Sequence, residues 1–361
     1  MRKYLVVCAA MTLLCSLVRA QEAEDAGSGA VLSIIPRLDA GMLYDFEGKE
    51  ASFSFGNTSL YTLFEGNISQ NWSFSIANHW VASDGWAGGA FNDAIGTPTT
   101  DLYSFHLPFQ GVETCDPNFL DWAYLTYSPG DFSFSLGKVV LLFGGWESDE
   151  YDFDVNPFSA SLIWNSFRNY QWGANVAWDI TDSSTITLQA AASPYNEPMS
   201  YGAQWDGTYG PYSMKWSILG YRNYWGERDW NAVLSLGNRL EFGDFTFTLD
   251  YINRCGDPMA FVSTIKGHTL IGSLQWALSD EWELGCKASY NLANDRNPST
   301  INLFNSLGLP AFYDKESFVT AGATASWSPA DDVCIQANAG YSDGLGFALL
   351  GVKYNFDLRI F

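Results

Sequence analysis

The sequence predicts an all-β fold, a transmembrane antiparallel β-barrel of about 16 strands with short periplasmic turns and long extracellular loops. Segments of roughly ten residues alternate apolar and polar side chains and end in turn signals. The chain is rich in aromatic residues, with 15 Trp, 19 Tyr and 25 Phe. After the first 20 residues no apolar run approaches the roughly 20 residues of a spanning helix. Only helices and closed barrels satisfy their backbone polar groups in hydrocarbon, so a closed barrel is expected.

The N-terminal residues have the pattern of an export signal. Arg2 and Lys3 precede an apolar run over 4–18, and a small-residue cleavage pattern ends at Ala20. We therefore expect residues 1–20 to be a signal peptide, 21–30 to be a short disordered lead, and 31–361 to form a single barrel domain. The lead is far too short for the plug of a 22-stranded receptor, which excludes that class.

The charge of the chain is strongly acidic. The full sequence has 18 basic and 40 acidic residues, a net charge of −22. Nucleic-acid binding depends on neutralising phosphates with Lys and Arg, so the sequence argues against a nucleic-acid partner.

Turn signals divide the chain into strands. The last segment shows the alternation clearly, because Leu350, Val352, Tyr354, Phe356 and Leu358 share one face while Lys353 and Asp357 share the other. An even strand count requires one further turn at 208–211, and hence a strand over 199–207 that is only weakly patterned. The predicted strands are 31–44, 52–69, 72–81, 120–127, 132–143, 168–180, 185–193, 199–207, 212–223, 230–242, 245–254, 265–278, 282–292, 318–327, 333–341 and 347–361.

The stretch 134–147 contains Gly137-Lys138 and Phe143-Gly144, and an acidic loop follows it as far as Asn156-Pro157-Phe158. It resembles the Gly-Lys…Phe-Gly strand of phosphate-selective porins O and P, and more closely that of Bacteroidetes-type porins. Segments 59–68, 79–80, 170–173 and 236–238 are similar too. The resemblance implies a 16-stranded, often trimeric channel that inward-folded loops narrow. Phosphate selectivity in that family depends on clustered lumen bases, and this chain has too few of them to make phosphate the default substrate.

Five acids lie where the resemblance places an inward-folded loop: Glu147, Asp149, Glu150, Asp152 and Asp154. One interpretation is a negative constriction that attracts cations and excludes anions. A solvated surface loop and a Ca²⁺ site with alternating oxygen ligands are the alternatives. The sequence predicts no other cofactor or metal.

Four bases are expected to face the lumen: Lys215, Arg239, Lys353 and Arg359. The acids Asp250, Glu241, Glu283 and Asp357 would lie opposite them. These charges either set up a transverse field that orders polar solutes or merely solvate the lumen.

Cys115 and Cys255 fall in outer loops with similar flanking residues, which favours a disulfide between them in an oxidising compartment. Cys286 is expected to face lipid and Cys334 the lumen, so these two should not pair.

The chain has only three histidines, and no Ser- or Asp-containing signature accompanies them, so no catalytic site and no enzyme activity are expected.

Tryptophans near strand ends predict an aromatic girdle: Trp72, Trp122, Trp178, Trp276, Trp282 and Trp327. Some of them could instead form a sugar-stacking slide inside the pore.

The expected function is a porin in the outer membrane of a Gram-negative bacterium, surrounded by lipid and lipopolysaccharide. It would pass small hydrophilic solutes or ions by diffusion, would not be phosphate-selective, would prefer cations and would form a homotrimer. The alternative is a non-conducting barrel that acts as an adhesin or an assembly scaffold.

Overall fold

The structure is a computed structural model that describes residues 29–46, 49–54, 58–82, 120–149, 170–192, 199–222, 230–255, 267–293, 317–342 and 345–360. These ranges form 16 barrel strands and one short 3₁₀ turn. In chain order the strands are β1 (Gly29–Asp45), β2 (Glu50–Ser54 and Thr58–Ser69), β3 (Trp72–Ala82), β4 (Leu120–Tyr127), β5 (Phe132–Val140), β6 (Tyr170–Thr181), β7 (Ser184–Ala191), β8 (Ser200–Tyr209), β9 (Tyr212–Arg222), β10 (Trp230–Phe242), β11 (Phe245–Cys255), β12 (Gly267–Ala277), β13 (Trp282–Ala293), β14 (Ser317–Ala330), β15 (Val333–Ser342) and β16 (Leu345–Tyr354 and Phe356–Arg359).

The sheet closes on itself. Consecutive strands pair antiparallel, and β1 pairs with both β2 and β16, so that Arg37 lies opposite Ser59 on one side and Lys353 on the other. The two segments of β16 share one register against β1. Val31 lies six residues before Arg37 and is opposite Arg359, which lies six residues after Lys353. The predicted 16-stranded antiparallel barrel is therefore confirmed, including the weakly patterned eighth strand, which is β8.

Tight turns join the strands at one end of the barrel. The β8–β9 and β10–β11 turns contain Gly210 and Gly243, whose φ angles are +63° and +57°. L side chains rarely adopt this left-handed conformation, so glycine is the natural residue there. At the opposite end the strands lead into segments outside the described residues.

The outer surface is apolar and carries an aromatic belt near the tight turns. Trp72 contacts Tyr127 with the rings tilted and their centroids 4.8 Å apart, and Phe132 stacks on Trp178 at 6.0 Å. Phe245 lies 5.4 Å from Trp276, and Trp282 lies 5.9 Å from Trp327. Amphipathic aromatic rings at the ends of an apolar band are typical of barrel strands that cross a bilayer.

Trp122 does not belong to this belt, so that part of the prediction was wrong. Its position in β4 is on the opposite face from the exposed Leu125, and its indole N–H donates to the Ser75 hydroxyl at 2.7 Å. Ser75 in turn donates to Glu65 at 2.6 Å. The polar partner on the inner wall, and not lipid, determines where this ring points.

The described cysteines lie on different faces. Cys286 is exposed on the outer surface and Cys334 is half-buried, and no disulfide joins them. Cys255 ends β11, whereas Cys115 lies outside the described residues, so the proposed Cys115–Cys255 disulfide stays a prediction.

No helix long and apolar enough to cross a membrane occurs in the part of the chain that the structure describes.

Candidate pore constriction

Residues 141–149, here called the inner segment, leave the end of β5 and run inside the barrel. Leu141 and Phe143 are buried in an apolar cluster with Leu219, Val233, Ile252 and Ile271 of β9 to β12. The residues next to these wall positions, such as Ile218, Leu234 and Leu270, are exposed on the outer face. Three of these strands, β9, β10 and β12, are therefore apolar on both faces here, and the inner segment covers part of the inner face.

Polar side chains of the wall satisfy the backbone of the inner segment. Gln189 of β7 accepts from the Leu142 N–H at 3.0 Å and donates to the Val140 carbonyl at 2.7 Å. The Gly144 N–H donates to the Ser235 hydroxyl at 2.9 Å, and the Ser217 hydroxyl donates to the Gly144 carbonyl at 3.1 Å. These contacts replace the hydrogen bonds that a sheet would supply, so the segment can leave the sheet and still lie in a buried place.

The inner segment ends in a 3₁₀ turn, Trp146–Asp149. The Glu147 carboxylate lies 3.0 Å from the Lys287 ammonium, and the two side chains are only 3% and 2% exposed. The Glu147 N–H donates to Oδ2 of Asp250 at 2.9 Å. The Trp146 ring faces two cations, with the Arg239 guanidinium carbon 3.9 Å and the Lys215 Nζ 5.2 Å from its centroid. Charged groups from β9, β10, β11 and β13 thus meet at two consecutive residues.

The structure brings together some of the residues singled out in the sequence. Glu147, Lys215 and Arg239 meet at the inner segment, and Asp149 ends its 3₁₀ turn. The side chain of Asp149 and the whole of Glu150, Asp152 and Asp154 lie outside the described residues.

The other two predicted bases lie elsewhere. Lys353 lines a cavity of about 490 Å³ at the tight-turn end, together with Glu283, Asp280, Glu281, Asp331 and Asp332. Arg359 is exposed close to the end of β16. Neither base is part of the cluster at the inner segment.

Sequence reasoning missed two lumen bases, Lys287 and Arg37. Lys287 shares the polar face of β13 with Glu283, and Arg37 is buried opposite Lys353. Strand alternation alone would have placed both inside.

The Ca²⁺ prediction concerns acids that mostly lie outside the described residues. Within the described residues no three His, Cys, Asp or Glu side chains are grouped to hold a metal ion.

Away from the inner segment, the wall also carries many uncharged polar side chains, which hydrogen-bond across neighbouring strands. Thr269 donates to Asn291 at 2.8 Å, and Ser289 bonds Thr320 at 2.6 Å. Thr324 donates to Asn338 on the next pair of strands. This wall is hydrophilic, as expected of a lumen and not of a globular core.

Neither a family model nor a curated protein matches the chain. Solved structures do. The outer membrane channel DcaP of Acinetobacter baumannii matches with a TM-score of 0.59 and 14% identity, over 93% of this chain and 100% of that one. The anion-selective porin from Comamonas acidovorans gives 0.58 and 10%, over 91% and 100%. The trimer form of OmpT, an outer membrane protein of Vibrio cholerae, gives 0.54 and 10%, over 91% and 99%. The chain has the barrel fold of outer-membrane porins.

Proposed function

We propose that the protein is a porin of the Gram-negative outer membrane, through which small hydrophilic solutes and ions diffuse passively. The observation that carries this proposal is the inner segment lying inside a closed barrel whose outer face is apolar. A 16-stranded barrel is wide enough to leave an aqueous channel, and a segment folded against its wall reduces the cross-section. Solute size is then filtered by the space beside the inner segment.

The inner wall suits hydrophilic solutes. Its Ser, Thr, Asn and Gln side chains hydrogen-bond one another across neighbouring strands, which makes the wall hydrophilic. No step of bond formation is needed, so the mechanism is diffusion along this wall.

We further propose a preference for cations. The Glu147 charge is offset by Lys287, so this acid adds little to the field in the channel. The preference would come from Asp149, Glu150, Asp152 and Asp154 and from the overall excess of 40 acids over 18 bases. Lys215 and Arg239 face the Trp146 ring, and the acids Glu147 and Asp250 belong to the same cluster, so the cluster is not purely basic, which argues against a phosphate-selective site.

The partners follow from the surfaces. Lipid and lipopolysaccharide would cover the exposed apolar face, and a homotrimer is proposed by analogy with the trimeric OmpT structure.

The deciding experiment is conductance of the purified protein in a planar lipid bilayer. Stepwise increases in current, with a reversal potential in a KCl gradient that favours K⁺, are expected. A protein that inserts into the bilayer and stays silent would contradict the channel and favour the adhesin or scaffold alternative.

A further inference from the structure

We propose that Lys287 is the positioning residue of the constriction. It holds the tip of the inner segment, Trp146 and Glu147, against the barrel wall. The latch consists of Lys287, Glu147 and Asp250, together with Arg239 stacked on Trp146. The inference rests on the proposed channel, because it states what keeps that channel narrow.

The two cations of the latch are related by the register of the sheet. Arg239 lies opposite Thr248, Thr248 opposite Ser273, and Ser273 opposite Lys287, on four successive strands. At about 4.8 Å per strand the two backbone positions are roughly 14 Å apart. Trp146 contacts Arg239 and also Lys215, and the next residue, Glu147, pairs with Lys287, so the wall holds the inner segment at two consecutive residues.

Asp250 fixes the backbone between those two points. It is 2% exposed, and its Oδ2 accepts the Glu147 N–H. Its Oδ1 is buried and accepts no hydrogen bond within the described ranges. Glu147 and Asp250 are thus two neighbouring buried acids, and the Lys287 ammonium pairs with the Glu147 carboxylate at 3.0 Å.

Loss of Lys287 should release the tip. Removing one partner of a buried ion pair leaves an uncompensated buried charge, which is much more costly than removing both partners. The Glu147 carboxylate would regain water by leaving the wall, and the inner segment would move with it. The channel would widen beside β9 to β13.

The test compares Lys287→Met with Lys353→Met. Both variants remove one lumen cation, but Lys353 lies at the tight-turn end and is not part of the latch. Lys287→Met should raise single-channel conductance and make the current noisier, whereas Lys353→Met should leave the conductance near the wild-type value. Lys287→Arg should restore the wild-type conductance. The double variant Lys287→Met with Glu147→Gln should recover part of it, because no unpaired carboxylate remains at that position.

A second readout does not need conduction. Ser217 lies beneath the inner segment and is 3% exposed. The test introduces Ser217→Cys into a protein in which Cys115, Cys255, Cys286 and Cys334 are replaced by alanine. The new thiol should react slowly with a membrane-impermeant maleimide. Adding Lys287→Met should speed labelling by at least on the order of 100-fold, the lower end of the factor that the loss of one partner of a buried ion pair predicts for the opening equilibrium. Lys353→Met should not change the labelling rate.

The outcomes separate the latch from the channel. A silent wild-type protein whose labelling accelerates with Lys287→Met would refute the channel and support the latch. A conducting wild type in which Lys287→Met changes neither conductance nor labelling would overturn the latch. Should Lys287→Met fail to assemble, Glu147→Gln weakens the same ion pair from the other side. Faster labelling in that variant would support the proposal and unchanged labelling would overturn it.

Discussion

Gly145 of the inner segment and Gly237 of β10 lie back to back. A Cβ atom on Gly237 would lie 2.9 Å from the Cα of Gly145, and a Cβ on Gly145 would lie 2.4 Å from Oδ1 of Asp250. Real Cβ atoms essentially never come this close to their neighbours. The missing side chains therefore allow the backbone of the inner segment to lie directly on the wall.

Replacing Gly145 by Ala should push the inner segment off the wall. Overpacking of a well-packed site costs about 1–3 kcal/mol, so the folded barrel should unfold at a lower temperature and conduct more current. Heat-modifiable migration on gels and single-channel conductance measure the two effects. Gly272→Ala is the matched control, because a Cβ there meets nothing within 4 Å. If both variants behaved alike, the close approach at Gly145 would have no role.

The strands could be predicted from the sequence because their signal is local. The alternation of apolar and polar residues indicates each strand, and turn residues indicate each tight turn. Neither signal depends on the rest of the chain. Even β8 followed from the need for an even strand count, and it spans Ser200–Tyr209. Ends differ by a few residues, as at β5, which stops at Val140 because the chain turns inward there.

The inner segment could not be predicted in the same way. Leu219 and Ile271 are apolar residues on the inner face, and alternation cannot say which part of the chain covers them. The partner of Glu147 is Lys287, 140 residues later, and their meeting depends on where the inner segment rests. Such long-range contacts leave no periodic signal in either strand.

A charge on the lipid face should be costly in proportion to its depth. Leu350 is 60% exposed in the middle of β16, whereas Phe356 is 44% exposed close to its end. Leu350→Arg should cost about 2–4 kcal/mol and Phe356→Arg about 0–1 kcal/mol, since arginine is penalised most at the bilayer midplane. Membrane levels and the heat-modifiable gel band report assembly. Equal assembly of the two variants would show that the depth assignment along β16 is wrong.

A disulfide between Cys115 and Cys255 is expected across the outer loops, because the sequence predicts an export signal and oxidising compartments favour such bonds. Cys255 ends β11 on the loop side of the barrel. Mass mapping of a non-reduced digest should yield the linked peptide pair, with Cys286 and Cys334 recovered in separate peptides. Two free thiols at 115 and 255, or a bond from Cys115 to Cys334, would contradict the loop arrangement.

Ion preference should depend on the acids that follow the inner segment. Charges act within a Debye length of roughly 8 Å at physiological salt and about 3 Å at 1 M salt. The wild-type channel should therefore prefer K⁺ over Cl⁻, and this preference should fade as the KCl concentration rises. Changing Asp149, Asp152 and Asp154 to Asn should weaken the preference with little loss of conductance, because Asn has nearly the same volume as Asp. Reversal potentials in KCl gradients measure the effect.

The control for this triple change removes three aspartates from the tight turns. Asp131, Asp182 and Asp244 are exposed, one in each of three turns, and their replacement by Asn alters the net charge by the same amount. That control should leave the reversal potential unchanged if position and not total charge determines selectivity. An anion-selective wild type, or a preference that the change at 149, 152 and 154 does not alter, would mean that those acids lie away from the ion path. Lys215 and Arg239, the two predicted lumen bases that lie at the inner segment, would then govern the pore.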